Sequence, residues 1–244
     1  MKKIIFFALS AFFMIHSYHL GSVQAETVAQ KSSQGSLPPS ADFKLGKSDG
    51  IFKTFHPNGK VKEEWSFKSG KLEGISKQYY ESGKVQAEAD FKNDKQEGIT
   101  KFYYEDGALQ AEWNFKDGKL DGISKEYDKN GKLKTEGNFS NTAQEGLTRD
   151  YYPDGKVKAE VSFRRGKRDG LAKEYFETGE LKREANFKDG LLDGLGKVYY
   201  PSGKVQAEIR YQNGKPNGVT KTYNQSGAVL AELNYKDGQL VTTV

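Results

Sequence analysis

The residue types that most often carry out chemistry in proteins are scarce in this chain. It contains no cysteine, and only one of its three histidines, His56, lies beyond residue 25. A single histidine without a second histidine, a cysteine or a neighbouring nucleophile makes a poor metal site or general base. Because His56 directly precedes Pro57-Asn58-Gly59, we interpret it as a turn-flanking residue that takes a tyrosine's place in the repeat. We predict no catalytic residue, no metal site and no cofactor.

The most regular polar feature is a glutamate that recurs every 24 residues. Its positions are Glu64, Glu88, Glu112, Glu136, Glu160, Glu184, Glu208 and Glu232. Eight carboxylates in equivalent settings do not provide the two distinct environments that an acid–base pair needs. A row of calcium-binding carboxylates is an alternative, although the dense Asp/Asn-Gly loops of such sites are missing. We predict that each glutamate faces a lysine or arginine across the strands, or accepts a turn N–H.

Glycines and aromatic residues share this period, which indicates a tandem repeat. The first glycine of each copy is at Gly50, Gly74, Gly98, Gly122, Gly146, Gly170, Gly194 and Gly218, and the second follows nine residues later. One aromatic row is Phe55, Tyr79, Tyr103, Tyr127, Tyr151, Tyr175, Tyr199 and Tyr223; the other is Phe67, Phe91, Phe115, Phe139, Phe163, Phe187, Tyr211 and Tyr235.

Within one copy, two segments alternate with a period of two, as β-strands do. Glu81-Ser82-Gly83 forms the first turn between them. The second turn is X-Gly in six copies and Asn93-Asp94 or Asn141-Thr142 in the others, where Asn and Asp tolerate a left-handed backbone. The sequence therefore predicts an all-β fold, an elongated single sheet of tandem 24-residue β-hairpins.

The parity of the strands predicts an irregularity at each first glycine. A two-residue second turn pairs Phe67 with Leu72, and strict alternation from Leu72 would send Ile75 to the opposite face. We therefore expect one extra residue, a bulge, at Gly74 and its equivalents. The Tyr79-type and Phe91-type rows then share an apolar face with Ile75, partly shielded by lysine stems. Where shielding is incomplete, we expect this face to support a homodimer.

The remaining aromatic residues are predicted to project to the polar face beside lysines. Exposed rings next to ammonium groups suit stacking on sugars, or contact with a protein or with anionic head groups. Cross-strand packing of half-exposed rings is the alternative. The candidate binding face consists of Tyr80, Tyr104, Tyr152, Phe176, Tyr200, Lys84, Lys156 and Lys204.

The N-terminal segment predicts export. Lys2 and Lys3 precede an apolar run, and Val23-Gln24-Ala25 offers small residues at the −3 and −1 positions. Residues 1–25 are therefore predicted to be a signal peptide cleaved after Ala25; an uncleaved anchor is the alternative. The expected destination is the periplasm, the cell surface or the medium. The net charge of +5 falls to +3 without Lys2 and Lys3, and this charge does not favour nucleic-acid binding.

The rest of the chain is predicted to divide into a linker and a repeat domain. Residues 26–41 are polar and Ser/Gln-rich, as in a flexible linker. Residues 42–244 form the repeat domain, which opens with a half copy at 42–49. Eight full copies follow, starting at residues 50, 74, 98, 122, 146, 170, 194 and 218.

Segments such as GISKQYYESGKVQAEADFKND (74–94) and GLAKEYFETGELKREANFKDG (170–190) resemble the variant MORN repeat of bacterial proteins, often labelled YwqK-type antitoxins. The resemblance covers residues 42 to 240 and implies a hairpin-repeat sheet for binding or scaffolding, without a catalytic site. We expect a non-enzymatic extracytoplasmic protein that contacts a protein partner or an envelope component. An immunity or antitoxin-like protein is one alternative, and a phospholipid-surface binder is another.

Overall fold

The computed structural model describes residues 49–243, with side chains to residue 241. The predicted signal peptide, the linker and nearly all of the half copy lie outside the described residues. Contacts group the described chain into two units, residues 49–143 and 144–243. Both consist of β-strands and turns.

The strands of the first unit are β1 (Gly50–Phe55), β2 (Val61–Lys68), β3 (Lys71–Leu72), β4 (Gly74–Tyr79), β5 (Val85–Lys92), β6 (Lys95–Gln96), β7 (Gly98–Tyr103), β8 (Leu109–Lys116), β9 (Lys119–Leu120), β10 (Gly122–Tyr127) and β11 (Leu133–Ser140). A two-residue strand, β12 (Ala143–Gln144), lies at the unit boundary. Those of the second unit are β13 (Gly146–Tyr151), β14 (Val157–Arg164), β15 (Lys167–Tyr175), β16 (Leu181–Lys188), β17 (Leu191–Leu192), β18 (Gly194–Tyr199), β19 (Val205–Gln212), β20 (Lys215–Pro216), β21 (Gly218–Tyr223), β22 (Val229–Lys236) and β23 (Gln239–Thr243).

Each repeat is a hairpin that pairs with the hairpin of the next repeat. β4 pairs antiparallel with β5, and the short β6 folds back on the end of β5. β5 also pairs antiparallel with β7 of the following copy. In the second unit, β16, β17 and β18 repeat this arrangement. The prediction of an all-β antiparallel sheet of tandem 24-residue hairpins is confirmed.

The second turn of every copy is a tight two-residue turn with a left-handed backbone. Asp117 and Gly118 have φ values of 51° and 78°, and both residues of the other second turns also have positive φ. This combination is the type I′ turn, whose twist matches that of the strands it joins. Asn141 and Thr142 adopt it too, at 49° and 73°, although a β-branched residue there is strained.

The irregularity predicted at the first glycine is present, but it is larger than predicted. Phe67 pairs with Leu72, as expected, whereas Glu64 pairs with Lys77. Two extra residues, not one, are therefore taken up around Gly74, whose φ is 83°. The single-residue bulge lies elsewhere, beside the first turn.

In this register, the side chains of the first strand of each repeat point to the opposite face from the one we predicted. A shift of two residues preserves parity, so Ser76 shares a face with Leu72 and is fully buried opposite Ala89. Ile75 instead is 62% exposed on the opposite side. The prediction that Ile75 and the Tyr79 row share an apolar face with Phe91 is wrong. We call the side of Ala89 and its equivalents the packed face, and the side of Ile75 the open face.

The packed face holds the core of each unit. In residues 49–143 the clustered core residues are Trp65, Phe67, Leu72, Ala87, Ala89 and Phe91, with Phe52 and Phe102 against them. In residues 144–243 they are Val161, Phe163, Ala172, Ala185, Phe187, Leu192, Ala207, Ile209 and Tyr211. The Ser76 position, on the same face, is occupied by a small residue or threonine in every copy except the first, where Phe52 packs against the core.

Candidate functional site

The glutamates form a ladder of hydrogen-bonded ion pairs on the open face. Glu88 Oε1 lies 2.8 Å from Lys77 Nζ of its own hairpin, and Glu88 Oε2 accepts a hydrogen bond of 3.1 Å from the Tyr103 hydroxyl of the next hairpin. Equivalent ion pairs are Lys53–Glu64, Arg149–Glu160, Lys197–Glu208 and Lys221–Glu232. Cross-strand pairing of the glutamates is therefore confirmed.

The hydrogen bonds of the ladder keep the Glu64 carboxyl and the Tyr79 phenol in their ordinary charge states. The hydrogen bond from Lys53 lowers the pKa of the Glu64 carboxyl, against the opposing effect of burial. Burial and the hydrogen bond to Glu64 raise the pKa of Tyr79 to about 12. The carboxylate stays ionised and the phenol stays protonated, so this arrangement joins hairpins and does not prepare a proton transfer.

A second row of acids joins consecutive repeats at their turns. Glu97 Oε2 accepts a hydrogen bond of 3.0 Å from the backbone N–H of Asp117, the first left-handed residue of the next second turn. Glu73, Glu145 and Asp193 make equivalent contacts 20 residues ahead. Sequence reasoning missed this role, although an acid precedes the first glycine in seven of the eight copies.

The tyrosines of the predicted binding face lie in a different place from the one we predicted. The hydroxyl groups of its four tyrosines donate to the backbone carbonyl 23 residues ahead: Tyr80 to Tyr103, Tyr104 to Tyr127, Tyr152 to Tyr175 and Tyr200 to Tyr223, at 2.7–2.9 Å. All four rings and Phe176 are half-buried. Tyr104 lines a cavity with Ala111 and Trp113 of the packed face, so its predicted place on the polar face is wrong. A binding role for the row remains a prediction.

The predicted lysines of that face flank the same turns. Lys84, Lys156 and Lys204 are exposed, and their backbone carbonyls accept hydrogen bonds from the N–H groups of Tyr80, Tyr152 and Tyr200. Other lysines lie over the rings. Lys182 Nζ is 5.8 Å from the centroid of Phe176, and Lys158 Nζ is 5.8 Å from that of Tyr152.

A row of aliphatic side chains marks the open face. It occupies the residue after each first glycine. In residues 49–143 the exposed members are Ile51, Ile75, Ile99 and Ile123, at 65%, 62%, 49% and 54% exposure. In residues 144–243 they are Leu147, Leu171 and Val219, each at 38%. Consecutive members are two strands apart, about 9.5 Å at ordinary strand spacing.

The residues across the strands from the aliphatic row are mostly small and polar. Ile75 lies opposite Asp90, Ile99 opposite Asn114 and Ile123 opposite Asn138. We missed this row because we placed Ile75 in the core. An aliphatic residue after the first glycine in every copy was its sequence signal.

Comparison with known families agrees with this repeat geometry. The family model described as "MORN repeat variant" matches eight segments: residues 48–69, 72–93, 96–117, 120–141, 144–165, 168–189, 192–213 and 216–237. The chain belongs to this family. No curated protein sequence matches the chain.

Two solved structures have only weak similarity to this MORN repeat protein. One is "Crystal structure of GtfA/B complex bound to UDP and GlcNAc", at 12% identity and a TM-score of 0.23, covering 57% of this chain and 28% of that one. The other is a porin-like protein from Bacteroides uniformis, at 10% identity and a TM-score of 0.21, covering 79% and 92%. At these TM-scores neither similarity informs the fold or the function.

Departures from the MORN consensus show what individual residues contribute. His56 occupies the Tyr80 position, and its Nε2–H donates to Tyr79 O at 2.9 Å, the same contact 23 residues ahead. Its interpretation as a turn-flanking residue in a tyrosine's place is confirmed. At Asp128 the side chain instead accepts turn N–H groups from Asn130 and Lys132.

Residues 49–243 contain no group of three side chains suited to a metal ion. Within that range, no helix has the length and hydropathy to cross a bilayer.

Proposed function

We propose that this MORN repeat protein is a non-enzymatic, extracytoplasmic binding or scaffold protein that contacts a protein partner through the open face. The observation that carries the proposal is the aliphatic row of the open face. Isolated exposed aliphatic residues are ordinary, but one at the same position in repeat after repeat forms an extended apolar stripe.

The surroundings of the stripe favour a protein partner over a charged surface. Ile75 and Ile99 are bordered by Asp90 and Asn114, and the adjacent Lys–Glu pairs neutralise one another. Such a surface offers apolar contact with a polar border, as the cores and rims of protein interfaces do. Repetition lets several weak contacts act together on one partner.

Export is part of the proposal and is supported by the N-terminal sequence alone. Lys2 and Lys3, the apolar run and Val23-Gln24-Ala25 have the features of a cleavable signal. N-terminal sequencing of the protein recovered from envelope and medium fractions of the source bacterium tests it. A mature chain that begins at Glu26 is expected; a chain that retains residues 1–25 in the cytoplasm would contradict export.

The partner is tested by affinity capture with the full chain expressed in its own bacterium. The triple variant Ile75→Ser, Ile99→Ser, Ile123→Ser should lose the captured protein at both low and high salt, because apolar contacts are not screened. The matched control is Lys60→Ser, Glu81→Ser, Lys132→Ser, three exposed positions at the first turns that belong to neither candidate face.

Other outcomes distinguish the alternatives. If the triple isoleucine variant captures the same protein as wild type, the open face is not the interface. Loss in the variant Tyr80→Phe, Tyr104→Phe, Tyr152→Phe, Tyr200→Phe would place it on the tyrosine row. One stoichiometric partner encoded beside the gene would favour an immunity role. Salt-sensitive binding to anionic vesicles would favour a phospholipid surface.

A further inference from the structure

A cavity on the packed face of residues 49–143 has no part in the function proposed above. Its volume is about 310 Å³, at the lower end of the range of roughly 300–1,000 Å³ for small-molecule sites. Side chains from the second, third and fourth repeats line it, among them Gln86, Phe102, Tyr104, Gln110 and Trp113. Each of these three repeats contributes to the wall, and the residue types at the Phe102 and Trp113 positions differ from copy to copy.

One wall of the cavity is aromatic. The rings of Phe102 and Trp113 have centroids 4.5 Å apart and planes inclined by 54°. Other copies carry Gln78 or Glu126 at the Phe102 position, and Ala89 or Gly137 at the Trp113 position. The repeat fold therefore does not require these two rings. The indole N–H of Trp113 is buried and has no hydrogen-bond partner among the described residues.

Side-chain amides form another part of the lining. Gln86 and Gln110 occupy the bulged position after the first turn, where the extra residue is directed into the cavity instead of alternating to the open face. Gln78 adds a third amide from β4. The described residues show no hydrogen bond to any of these three side chains. Gln78 and Gln110 are half-buried and Gln86 is exposed, so all three amides are available to a ligand in the cavity.

The charges of the lining do not favour an ion. Glu126 and Lys134 also line the cavity and contribute one charge of each sign. An anion would need an excess of cations, and a cation would need an excess of carboxylates. Amides that both donate and accept, next to ring faces, match a ligand that carries hydroxyl groups on one side and C–H groups on another.

We propose that this cavity binds a neutral saccharide. The sugar's C–H face lies on the Phe102–Trp113 wall, and its hydroxyls exchange hydrogen bonds with Gln78, Gln86 and Gln110. The buried Trp113 N–H becomes satisfied when a hydroxyl or ring oxygen reaches it. The cavity size fits a short segment of a glycan, such as one or two sugar units, rather than a folded partner.

Residues 144–243 offer a matched control for the amides. Gln206 occupies the same bulged position as Gln86 and Gln110 and is half-buried, but it does not line this cavity. The full chain is screened against an array of neutral mono- to tetrasaccharides, and the strongest binder is titrated while tryptophan fluorescence is recorded. The chain has two tryptophans, so Trp113→Phe leaves the signal of Trp65 alone.

The double variant Gln86→Ala, Gln110→Ala should weaken binding of that sugar by about ten-fold or more, because two hydrogen bonds are lost. Gln206→Ala should bind like wild type, and Trp113→Phe should lose the fluorescence change. The proposal is overturned if no neutral sugar binds, if Gln206→Ala weakens binding as much as the double variant, or if only peptides with aromatic side chains bind. The isoleucine variant should retain sugar binding, which separates this site from the open face.

Discussion

The packed faces of the two units differ at equivalent repeat positions. In residues 49–143 these positions hold the aromatic residues Trp65, Phe102 and Trp113. Trp65 lies in the buried core, and the rings of Phe102 and Trp113 pack against each other. In residues 144–243 they hold Val161, Glu174 and Ile209, and the buried Glu174 is paired with Lys182 and Arg183. The same hairpin therefore tolerates an aromatic wall or an internal ion cluster.

The difference shows what the repeat requires. Its turns, cross-strand ion pairs and tyrosine hydrogen bonds occur in both units, whereas the packed-face side chains beside the first turn vary freely. Burial alone would raise the pKa of Glu174, but the Lys182 hydrogen bond and the nearby charges of Arg183 and Lys182 outweigh it and lower that pKa. The buried carboxylate of Glu174 is thus stabilised by its own cationic partners.

The largest expected effect on stability comes from the aromatic core residues of residues 49–143. Trp65 is 1% exposed, so Trp65→Ala should lower the free energy of unfolding by about 3–5 kcal/mol through the cavity it leaves. Ile209→Ala, at the equivalent position of the second unit, should cost less because fewer atoms are removed. Urea unfolding followed by circular dichroism measures both. An equal or greater loss of unfolding free energy for Ile209→Ala would contradict the larger contribution of the aromatic side chain to stability.

The next largest loss of stability is expected at the Glu174 ion cluster. Glu174→Gln leaves Arg183 without its carboxylate in a largely buried position and should cost about 2 kcal/mol. The control Glu88→Gln removes a carboxylate that is 30% exposed and should cost less than about 1 kcal/mol. If both substitutions cost the same, burial is not what distinguishes the cluster from the ladder.

A matched pair of substitutions tests the tyrosine row in both units. Tyr80→Phe removes a hydroxyl that donates to Tyr103 O at 2.7 Å and should cost about 1 kcal/mol. Phe176→Tyr restores the repeat consensus and should gain about as much if the new hydroxyl reaches the carbonyl of Tyr199. Thermal melting of both variants measures the shifts. A lower melting temperature for Phe176→Tyr would show that the row is not interchangeable.

The smallest effect is expected from pH. The pKa values of Glu64, Glu88 and Glu174 are lowered in the folded protein. Their stabilisation is therefore complete above the unfolded pKa near 4.5 and is lost as pH falls through the folded values. Urea midpoints measured from pH 7 to pH 3 should decrease, and Glu174→Gln should reduce that decrease. An unchanged pH profile in this variant would remove Glu174 as a contributor.

The period of glycine and glutamate predicted the hairpins, both turns and the ion-pair ladder, because each depends on local backbone preference or direct cross-strand pairing. The faces of the first strand could not be obtained this way. Their assignment depends on whether Gly74 absorbs one residue or two, and hydrophobicity favoured burial of Ile75 over Ser76. The structure buries the serine, because the two-residue shift at Gly74 places Ser76 on the same face as Leu72.

The glutamines that line the cavity were missed for a related reason, although Tyr104, which also lines it, was among the predicted binding residues. In an alternating strand, Gln86 would point to the side opposite Val85 and Ala87, away from the core. The bulge beside the first turn overrides this alternation. A side-chain direction that depends on a bulge cannot be obtained from periodicity alone.

The side-chain hydrogen bonds that join one repeat to the next span 15 or 20 to 23 residues, always less than the 24-residue period. Among the described residues, none of these contacts reaches beyond the adjacent repeat, so loss or duplication of one 24-residue segment would leave each new junction with the same types of contact. Chain length can therefore change by unequal recombination without requiring new kinds of contact between repeats. Selection can thus adjust the number of repeats to the size of the binding partner.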